Sequence, residues 1–282
     1  LENYAEGADA FHGDAGPIGV SLAPPPEAMS PIGRAWIEAA RQAGLPYNPD
    51  LNGADQEGFG RAPANIAAGR RQSAASGYLT PALARRNLRV ISRATVTRVL
   101  IRHGRAVGVE YLRNGRRKTL STDGEVILAG GAVNSPQLLQ LSGVGPADLL
   151  RRHGIKVVQD LPGVGENLQD HAGVMVKQEI TRPYSALAYT RPLPSAMAIA
   201  QYLATGAGPT TSNGLEVLAF VKTSVDLDFP DLQFHFPMLL YEDHGRRVIQ
   251  REGFTAYLNA TRPKSRGRVA IASADPLAAP LI

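Results

Sequence analysis

The residues best suited to proton transfer in this 282-residue sequence are its six histidines. Because the unperturbed pKa of histidine is about 6.5, its side chain can gain or lose a proton near neutral pH. Five of them stand in turns, in loops or at a helix end, contexts that explain them without catalysis: His12, His103, His153, His171 and His244. The sixth, His235, is the one that the local pattern singles out.

His235 lies in the segment Leu232–Phe236, where apolar and polar residues alternate. Successive side chains of a strand point to opposite faces. Phe234 and Phe236 are therefore expected to face a core, while Gln233 and His235 share the other face. A polar pair on a sheet face is more often solvated than functional, and both interpretations stay open for His235.

Composition excludes several classes of site. The sequence contains no cysteine, which rules out disulfides, thiolate metal sites and a cysteine nucleophile, and no metal site is predicted. The net charge of +5 comes from basic residues that are scattered singly and in pairs, so no nucleic-acid partner is expected. No apolar run approaches the roughly 20 residues that a membrane helix requires. The expected location is cytoplasmic.

The segment that would position a bound nucleotide or flavin is Glu125–Gly154. Its apolar start, Val126–Ala129, predicts a buried strand. Two glycines then allow a sharp turn. A helix follows, with Asn134 or Ser135 as the cap and Pro136 at the first position. Strand, glycine turn and helix N-terminus is the arrangement that directs backbone N–H groups toward a phosphate or flavin.

The remaining pattern predicts a mixed α/β architecture of about two domains at roughly 150 residues each. A small antiparallel meander is attached to a nucleotide-binding sheet, and Asn114-Gly115 is a two-residue hairpin signal. The other predicted elements, in chain order, are a helix from Pro31 capped by Ser30, a long loop at Leu45–Arg71 anchored by Tyr47, Leu51 and Phe59, two helical pieces within Ser73–Asn87 broken at Thr80-Pro81, short strands at Leu88–Ile91 and Ile155–Val158, and a turn at Gly163–Gly165.

The segment Gly131–Gly145 resembles, position by position, the second signature of the glucose–methanol–choline (GMC) oxidoreductases. Further motifs of that family follow in order over nearly the whole chain: His12-Gly13 with Gly16-Pro17, Gly69-Arg70-Arg71, Gly163 to His171, Gly208-Pro209 with Ser212-Asn213-Gly214, Pro230 to Phe236, and Arg262 to Gly267.

The resemblance implies an enzyme that moves a hydride from an alcohol carbon to FAD. It implies that residues 1–170 form part of a Rossmann-like FAD-binding domain, with a lid or loop region at 1–72 and a small β-meander. Residues 171–282 are then part of a substrate-binding domain built on an antiparallel sheet.

The resemblance also implies roles for single residues. Val96 matches a valine whose backbone contacts the adenine of FAD, although sheet packing would also explain it. Ala129 and Gly130 match a returning strand beside FAD, and tight helix–strand packing is the alternative. His235 matches a histidine that lines the substrate pocket in choline-oxidising relatives. It is expected to assist at the substrate hydroxyl without being the main base.

The sequence departs from the family pattern at both ends. The glycine fingerprint for the pyrophosphate is expected N-terminal to Leu1, and the catalytic histidine C-terminal to Ile282. No catalytic residue is therefore predicted within the chain, which resembles the middle portion of such an enzyme. An inactive remnant and an unrelated α/β binding module are the alternatives.

Substrate identity is only weakly indicated. Leu215 aligns loosely with an aromatic residue of choline-oxidising members, and its aliphatic side chain favours a neutral primary alcohol over choline. The electron acceptor, whether oxygen, a quinone or another compound, is left open.

Overall fold

The computed structural model describes residues 2–282, apart from the side chain of His244. The chain forms two compact units that interleave along the sequence. The first combines residues 2–88 with His171–Arg262, and the second combines Arg89–Asp170 with Pro263–Ile282. These contact units differ from the linear division at residue 170, whose assignment of cofactor and substrate domains remains a prediction.

The strands are short outside two sheets. In chain order they are β1 (Glu2–Tyr4), β2 (Ile18–Leu22), β3 (Gly58–Arg61), β4 (Pro63–Ala64), β5 (Ile66–Ala67), β6 (Arg70–Arg71), β7 (Thr95–Arg102), β8 (Arg105–Arg113), β9 (Arg116–Ser121), β10 (Val144–Gly145), β11 (Gln159–Asp160), β12 (Glu166–Leu168), β13 (Gly173–Glu179), β14 (Leu215–Val221), β15 (Leu232–Pro237), β16 (Tyr241–Glu242), β17 (Arg247–Val248), β18 (Gly253–Ala260) and β19 (Gly267–Arg268).

The α-helices are α1 (Pro31–Gln42), α2 (Thr80–Ala82), α3 (Gly131–Leu141), α4 (Ala147–Arg152) and α5 (Pro192–Thr205). A π-helical turn, Ala75–Leu79, runs directly into α2, so the predicted break at Thr80-Pro81 is wrong. Short 3-10 turns lie at Pro26–Ala28, Ala186–Thr190, Pro209–Thr211 and Asp243–Gly245. Within residues 2–282, no helix combines the length and apolar character needed to cross a bilayer.

The first unit is organised on a five-stranded antiparallel sheet with the order β13-β18-β15-β14-β3. The strand β3 lies in the segment Leu45–Arg71 that was predicted to be a loop, so that prediction is wrong at Gly58–Arg61 and also at the short strands β4, β5 and β6. Its glycines hid the strand pattern but allow close packing: a Cβ on Gly60 would lie 2.2 Å from the Asn48 carbonyl oxygen. The predicted anchors Leu51 and Phe59 are buried.

The helix α1 covers one face of this sheet, as its apolar spacing predicts. The Oγ of Ser30 accepts a hydrogen bond of 3.0 Å from the Gly33 N–H, and Pro31 occupies the first position. The rings of Trp36 and Phe236 lie 3.9 Å apart. The buried core between helix and sheet consists of Met29, Ile37, Ala40, Phe59, Val217, Ala219, Phe236 and Ala256.

The second unit contains the predicted meander, a three-stranded antiparallel sheet with the order β7-β8-β9. Asn114 and Gly115 have φ angles of +52° and +72°, which fits the two-residue hairpin turn that this dipeptide favours. The predicted turn at Gly163–Gly165 is present. The mixed α/β class with an antiparallel meander is confirmed.

Three of the predicted strands are wrong. Val126–Ala129 and Leu88–Ile91 pair with no strand among residues 2–282, and Ile127 is 83% exposed. An apolar run becomes a strand only when a neighbour pairs with its backbone N–H and C=O groups. The predicted strand Ile155–Val158 is replaced by β11 just after it, which pairs in parallel with β10.

The signature helix α3 begins at Gly131, so the prediction of Pro136 at its first position is wrong. The φ of +76° at Gly131 turns the chain into the helix earlier than the cap pattern indicates. Ser135 does not cap the helix, but its Oγ accepts a hydrogen bond of 3.0 Å from the N–H of Gly130, the residue before α3. The helix α4 ends at Arg152, and Gly154, with a φ of +69°, follows its last turn.

Candidate cofactor and substrate site

A cavity of about 390 Å³ in the second unit lies between the edge strand β7, the extended segment before α3, and α3 itself. It brings together all three residues predicted to contact the cofactor, Val96, Ala129 and Gly130. Val96 comes from the edge strand, at a register shift of the β7–β8 pair. Ala129 and Gly130 are exposed and directly precede α3.

The chemistry of this cavity suits a neutral, mostly apolar group. None of its lining residues within the described chain is charged: the walls carry Val96, Val109, Val126, Ile127, Leu128, Leu138 and Leu141 beside the polar Thr95, Asn134, Ser135 and Gln137. Ligand pockets are mostly apolar, with a few polar groups and volumes of about 300–1,000 Å³. The cavity therefore fits a ring portion of FAD better than its pyrophosphate.

The small residues before α3 have a second, structural explanation. A Cβ on Gly130 would lie 3.1 Å from the Asn134 Cβ and 3.2 Å from the Ser135 backbone N. These distances are tighter than ordinary van der Waals contact, so glycine is favoured by packing against the first turn of its own helix. Both explanations offered by the sequence thus have a geometric basis, and the cofactor roles of the three residues remain predictions.

A buried glutamine of the signature fixes α3 against two other segments of the second unit. The Nε2 of Gln140 donates to the carbonyl oxygens of Val164, at 3.1 Å, and Val269, at 3.0 Å. Its Oε1 accepts from the Ile271 N–H at 2.9 Å. Sequence analysis missed this role, because the partners lie up to 131 residues away and nothing local indicates them.

His235 occupies the position that its alternation predicts, in β15 on the face opposite the core. The side chain is half-buried, and burial lowers its pKa from the usual value. The imidazole is consequently neutral at pH 7, able to accept a proton or a hydrogen bond. Its ring centroid lies 6.2 Å from that of Tyr257 on the neighbouring strand β18.

Tyr257 also lines a separate cavity of about 490 Å³ in the first unit, together with Leu215 and Tyr241. Burial, and then the neighbouring Tyr257, raise the pKa of the Tyr241 hydroxyl. No acidic residue is among the lining residues within the described chain. The lining is mostly apolar, and it includes the Tyr257 ring that pairs with His235.

A second histidine, His12, is almost completely buried and was interpreted from the sequence only as a turn residue. Its Nδ1 lies 3.0 Å from the Glu2 Oε1, and its Nε2 lies 3.0 Å from the Asp50 Oδ2. The ring stacks on Tyr4 with 4.0 Å between centroids. Burial lowers the pKa of His12, but the hydrogen bonds to Asp50 and Glu2 outweigh burial, and the net shift is upward.

The oxygens of Asp9 and Asp50 and a ring nitrogen of His12 lie within 4.8 Å of one another. Both ring nitrogens already face a carboxylate, however, and Asp9 accepts the backbone N–H groups of Phe11 and His12 at 2.6 and 2.7 Å. This network is satisfied as an ion-pair cluster that ties the N-terminal segment to the following loop.

Comparison with known proteins agrees with the motif series. The family profile described as GMC oxidoreductase matches residues 2–173. The chain belongs to the GMC oxidoreductase family. The mitochondrial choline dehydrogenase of Mus musculus is 42% identical over 281 residues, covering 100% of this chain and 47% of the relative. The oxygen-dependent choline dehydrogenase of Chromohalobacter salexigens is 40% identical, covering 98% and 49%.

Two solved oxidase structures share the fold of this GMC chain. Pyridoxine 4-oxidase from Mesorbium loti superposes with a TM-score of 0.77 at 26% identity, covering 98% of this chain and 50% of its own. A formate oxidase superposes with a TM-score of 0.87 at 23% identity, covering 100% and 54%. The chain therefore spans about half the length of the relatives that it matches.

Proposed function

We propose that the protein carrying this chain oxidises a primary alcohol to an aldehyde, with FAD as the hydride acceptor. The observation that supports this most is the match of nearly the whole chain to about half of two choline dehydrogenases at about 40% identity, together with a cavity lined by Val96, Ala129 and Gly130. In the reaction the alcohol loses a hydride from carbon and a proton from its hydroxyl. FAD, when bound, supplies the hydride-accepting ring.

One portion of the chain is assigned to the cofactor and another to the substrate. The second unit would hold a ring of FAD between the edge of β7 and the start of α3. In the first unit, His235 would orient the substrate hydroxyl, because a neutral imidazole can accept its hydrogen bond. Residues 1–170 and 171–282 keep their proposed cofactor and substrate roles, and a cytoplasmic location without a nucleic-acid partner remains a prediction.

Choline is the first substrate to test, and a neutral primary alcohol is the second. The names of the relatives favour choline, and the faces of Tyr241 and Tyr257 could attract a quaternary ammonium group. The aliphatic Leu215 and the absence of an acidic lining residue among those described favour a neutral alcohol. Choline and its neutral isostere 3,3-dimethylbutan-1-ol have nearly the same shape, so comparing them isolates the effect of charge.

The test uses the protein expressed from its complete reading frame. Purified protein should carry flavin absorbance that bleaches anaerobically when a substrate is added. Values of kcat/KM for choline and for its isostere then assign the substrate class, and parallel assays with oxygen and with a dye identify the acceptor. Flavin that no alcohol bleaches, or a preparation without flavin, would contradict the proposal and favour the inactive remnant.

A further inference from the structure

The imidazole of His235 lies between two neighbouring strands and has no polar partner. Its cross-strand partners are Leu218 on β14 and Tyr257 on β18, and side chains directly opposite each other on one sheet face lie close enough to touch. Among the residues that the structure describes, none forms a hydrogen bond or an ion pair with the imidazole. The outer torsion of a histidine side chain has only broad minima of its own. The orientation of this ring is therefore set by the side chains that pack against it.

The position of the Tyr257 ring depends in turn on the absence of a side chain at Gly173. On β13, Gly173 pairs with Asn259 and is thus a diagonal neighbour of Tyr257, within reach of an aromatic side chain. A Cβ on Gly173 would lie 2.5 and 2.6 Å from the Cε2 and Cζ atoms of Tyr257, closer than real Cβ atoms come to a neighbour. The φ of Gly173 lies outside the left-handed region. An alanine there would consequently suit the backbone but displace the tyrosine ring.

We propose that Tyr257 is a positioning residue for His235, and that Gly173 leaves the space that the tyrosine ring needs. The inference rests on the proposed function, in which His235 accepts a hydrogen bond from the substrate hydroxyl. Tyr257 covers one side of the imidazole and keeps it in the orientation that this hydrogen bond requires. The ring of Tyr257 is the part that acts, because its hydroxyl forms no hydrogen bond within the described chain.

The first test is kinetic and uses the complete enzyme. Tyr257→Ala should raise KM roughly twofold to fivefold and change kcat little, the range expected for a lost contact between aromatic rings. Tyr257→Phe keeps the ring and should keep the wild-type constants. Gly173→Ala should raise KM as Tyr257→Ala does, but should have no further effect in the Tyr257→Ala protein, where no ring is left to displace. The matched control is Gly124→Ala, in an exposed turn where the nearest atom to a new Cβ would be 3.5 Å away, and it should leave both constants unchanged.

Direct contact between Tyr257 and the substrate is the competing explanation. If Tyr257 acts through His235, Tyr257→Ala should add nothing to the effect of His235→Ala. The rise in KM should also be equal for choline and for 3,3-dimethylbutan-1-ol. A rise confined to choline, a rise that adds fully to that of His235→Ala, or an unchanged KM in Tyr257→Ala would overturn the proposal.

The ring geometry can be measured without substrate turnover. Isotope labelling at the Cε1 atom of histidine gives one NMR signal for each of the six histidines, and His235→Gln identifies the signal of His235. That signal should shift clearly in Tyr257→Ala and Gly173→Ala, and much less in Tyr257→Phe and Gly124→Ala, because a neighbouring aromatic ring changes the local magnetic field. A signal that stays in place in Tyr257→Ala overturns the positioning role. A shifted signal in a protein that oxidises no alcohol supports the packing of His235 by Tyr257 and contradicts the proposed function alone.

Discussion

At the scale of single residues, the two buried or half-buried histidines have opposite electrostatic environments. His235 loses hydration without gaining a carboxylate, and burial lowers its pKa. His12 loses hydration as well, but its two carboxylate partners raise the pKa beyond what burial takes away. Burial therefore favours the neutral form of His235, while the two carboxylates favour the charged form of His12, which joins two segments of the chain.

Replacing His235 by alanine should weaken substrate binding more than it slows turnover. The lost hydrogen bond to the substrate hydroxyl is worth on the order of 1 kcal/mol, which corresponds to a rise in KM of roughly fivefold. Steady-state kinetics of the complete enzyme would measure both constants. His103→Asn, in an exposed turn with a φ of +50°, is the control and should leave both unchanged. A collapsed kcat with an unchanged KM would instead make His235 the base.

The contribution of His12 to stability should depend on pH. Its pKa is raised in the folded state, so the charged pair stabilises fully below the unfolded value of about 6.5 and is lost as pH rises through the folded pKa. His12→Gln should therefore lower the free energy of unfolding more at about pH 5.5 than at about pH 8.5. Denaturant unfolding of both proteins at the two pH values gives the difference. A loss of equal size at both would show that packing on Tyr4, and not charge, is what His12 contributes.

At the scale of elements, the side chain of Gln140 holds α3 in place. Gln140→Leu would leave the carbonyls of Val164 and Val269 and the Ile271 N–H without their partners. At about 1–3 kcal/mol for each buried unsatisfied group, a total loss on the order of 3 kcal/mol is expected. Thermal unfolding would measure the loss.

Gln137→Leu is the matched control for Gln140, one turn earlier on the same helix. Its Nε2 donates to the Ala278 carbonyl at 2.9 Å in a partly exposed place, where water can replace it. Its substitution should cost less than about 1 kcal/mol. If the two variants are equally stable, the buried network does not fix the helix.

Elements with local signals could be predicted from the sequence, and those that depend on distant partners could not. The cap of α1 at Ser30, the hairpin at Asn114-Gly115 and the alternation around His235 are all encoded within a few residues. The strand β3 was missed because glycines replace its alternating side chains. The run Val126–Ala129 was overpredicted because strand formation needs a paired neighbour, which local sequence does not report.

The candidate site follows the same rule. The family motifs pointed to Val96, Ala129 and Gly130, and the structure places them around one cavity. The three contacts of Gln140 and the two carboxylate contacts of His12 join residues that are 10 to 131 positions apart in the sequence. No local pattern indicates such contacts, because only the folded chain brings the partners together.

At the scale of the whole molecule, the first unit is assembled from two separate parts of the chain. Phe59 of β3 pairs with Ala219 of β14 in the central sheet. Met29, from the turn before α1, and Ile37, from α1 itself, cover the sheet face that carries Phe236. The part formed by His171–Arg262 thus contains most of the sheet but neither its edge strand β3 nor the helix on its core.

His171–Arg262 alone should therefore fail to fold cooperatively. Its sheet would expose Val217, Ala219 and Phe236, whose side chains are at most 2% exposed in the complete unit. Burial of apolar surface is the main contribution that stabilises such a sheet. Residues 2–88 joined to it by a flexible linker should restore a single unfolding transition in circular dichroism. The control carries Phe59→Asp in the joined protein, which places a charge in the shared core and should abolish the transition. A cooperative transition in isolated His171–Arg262 would show that the sheet is stable without β3 and α1, and that residues 2–88 are not needed to form its core.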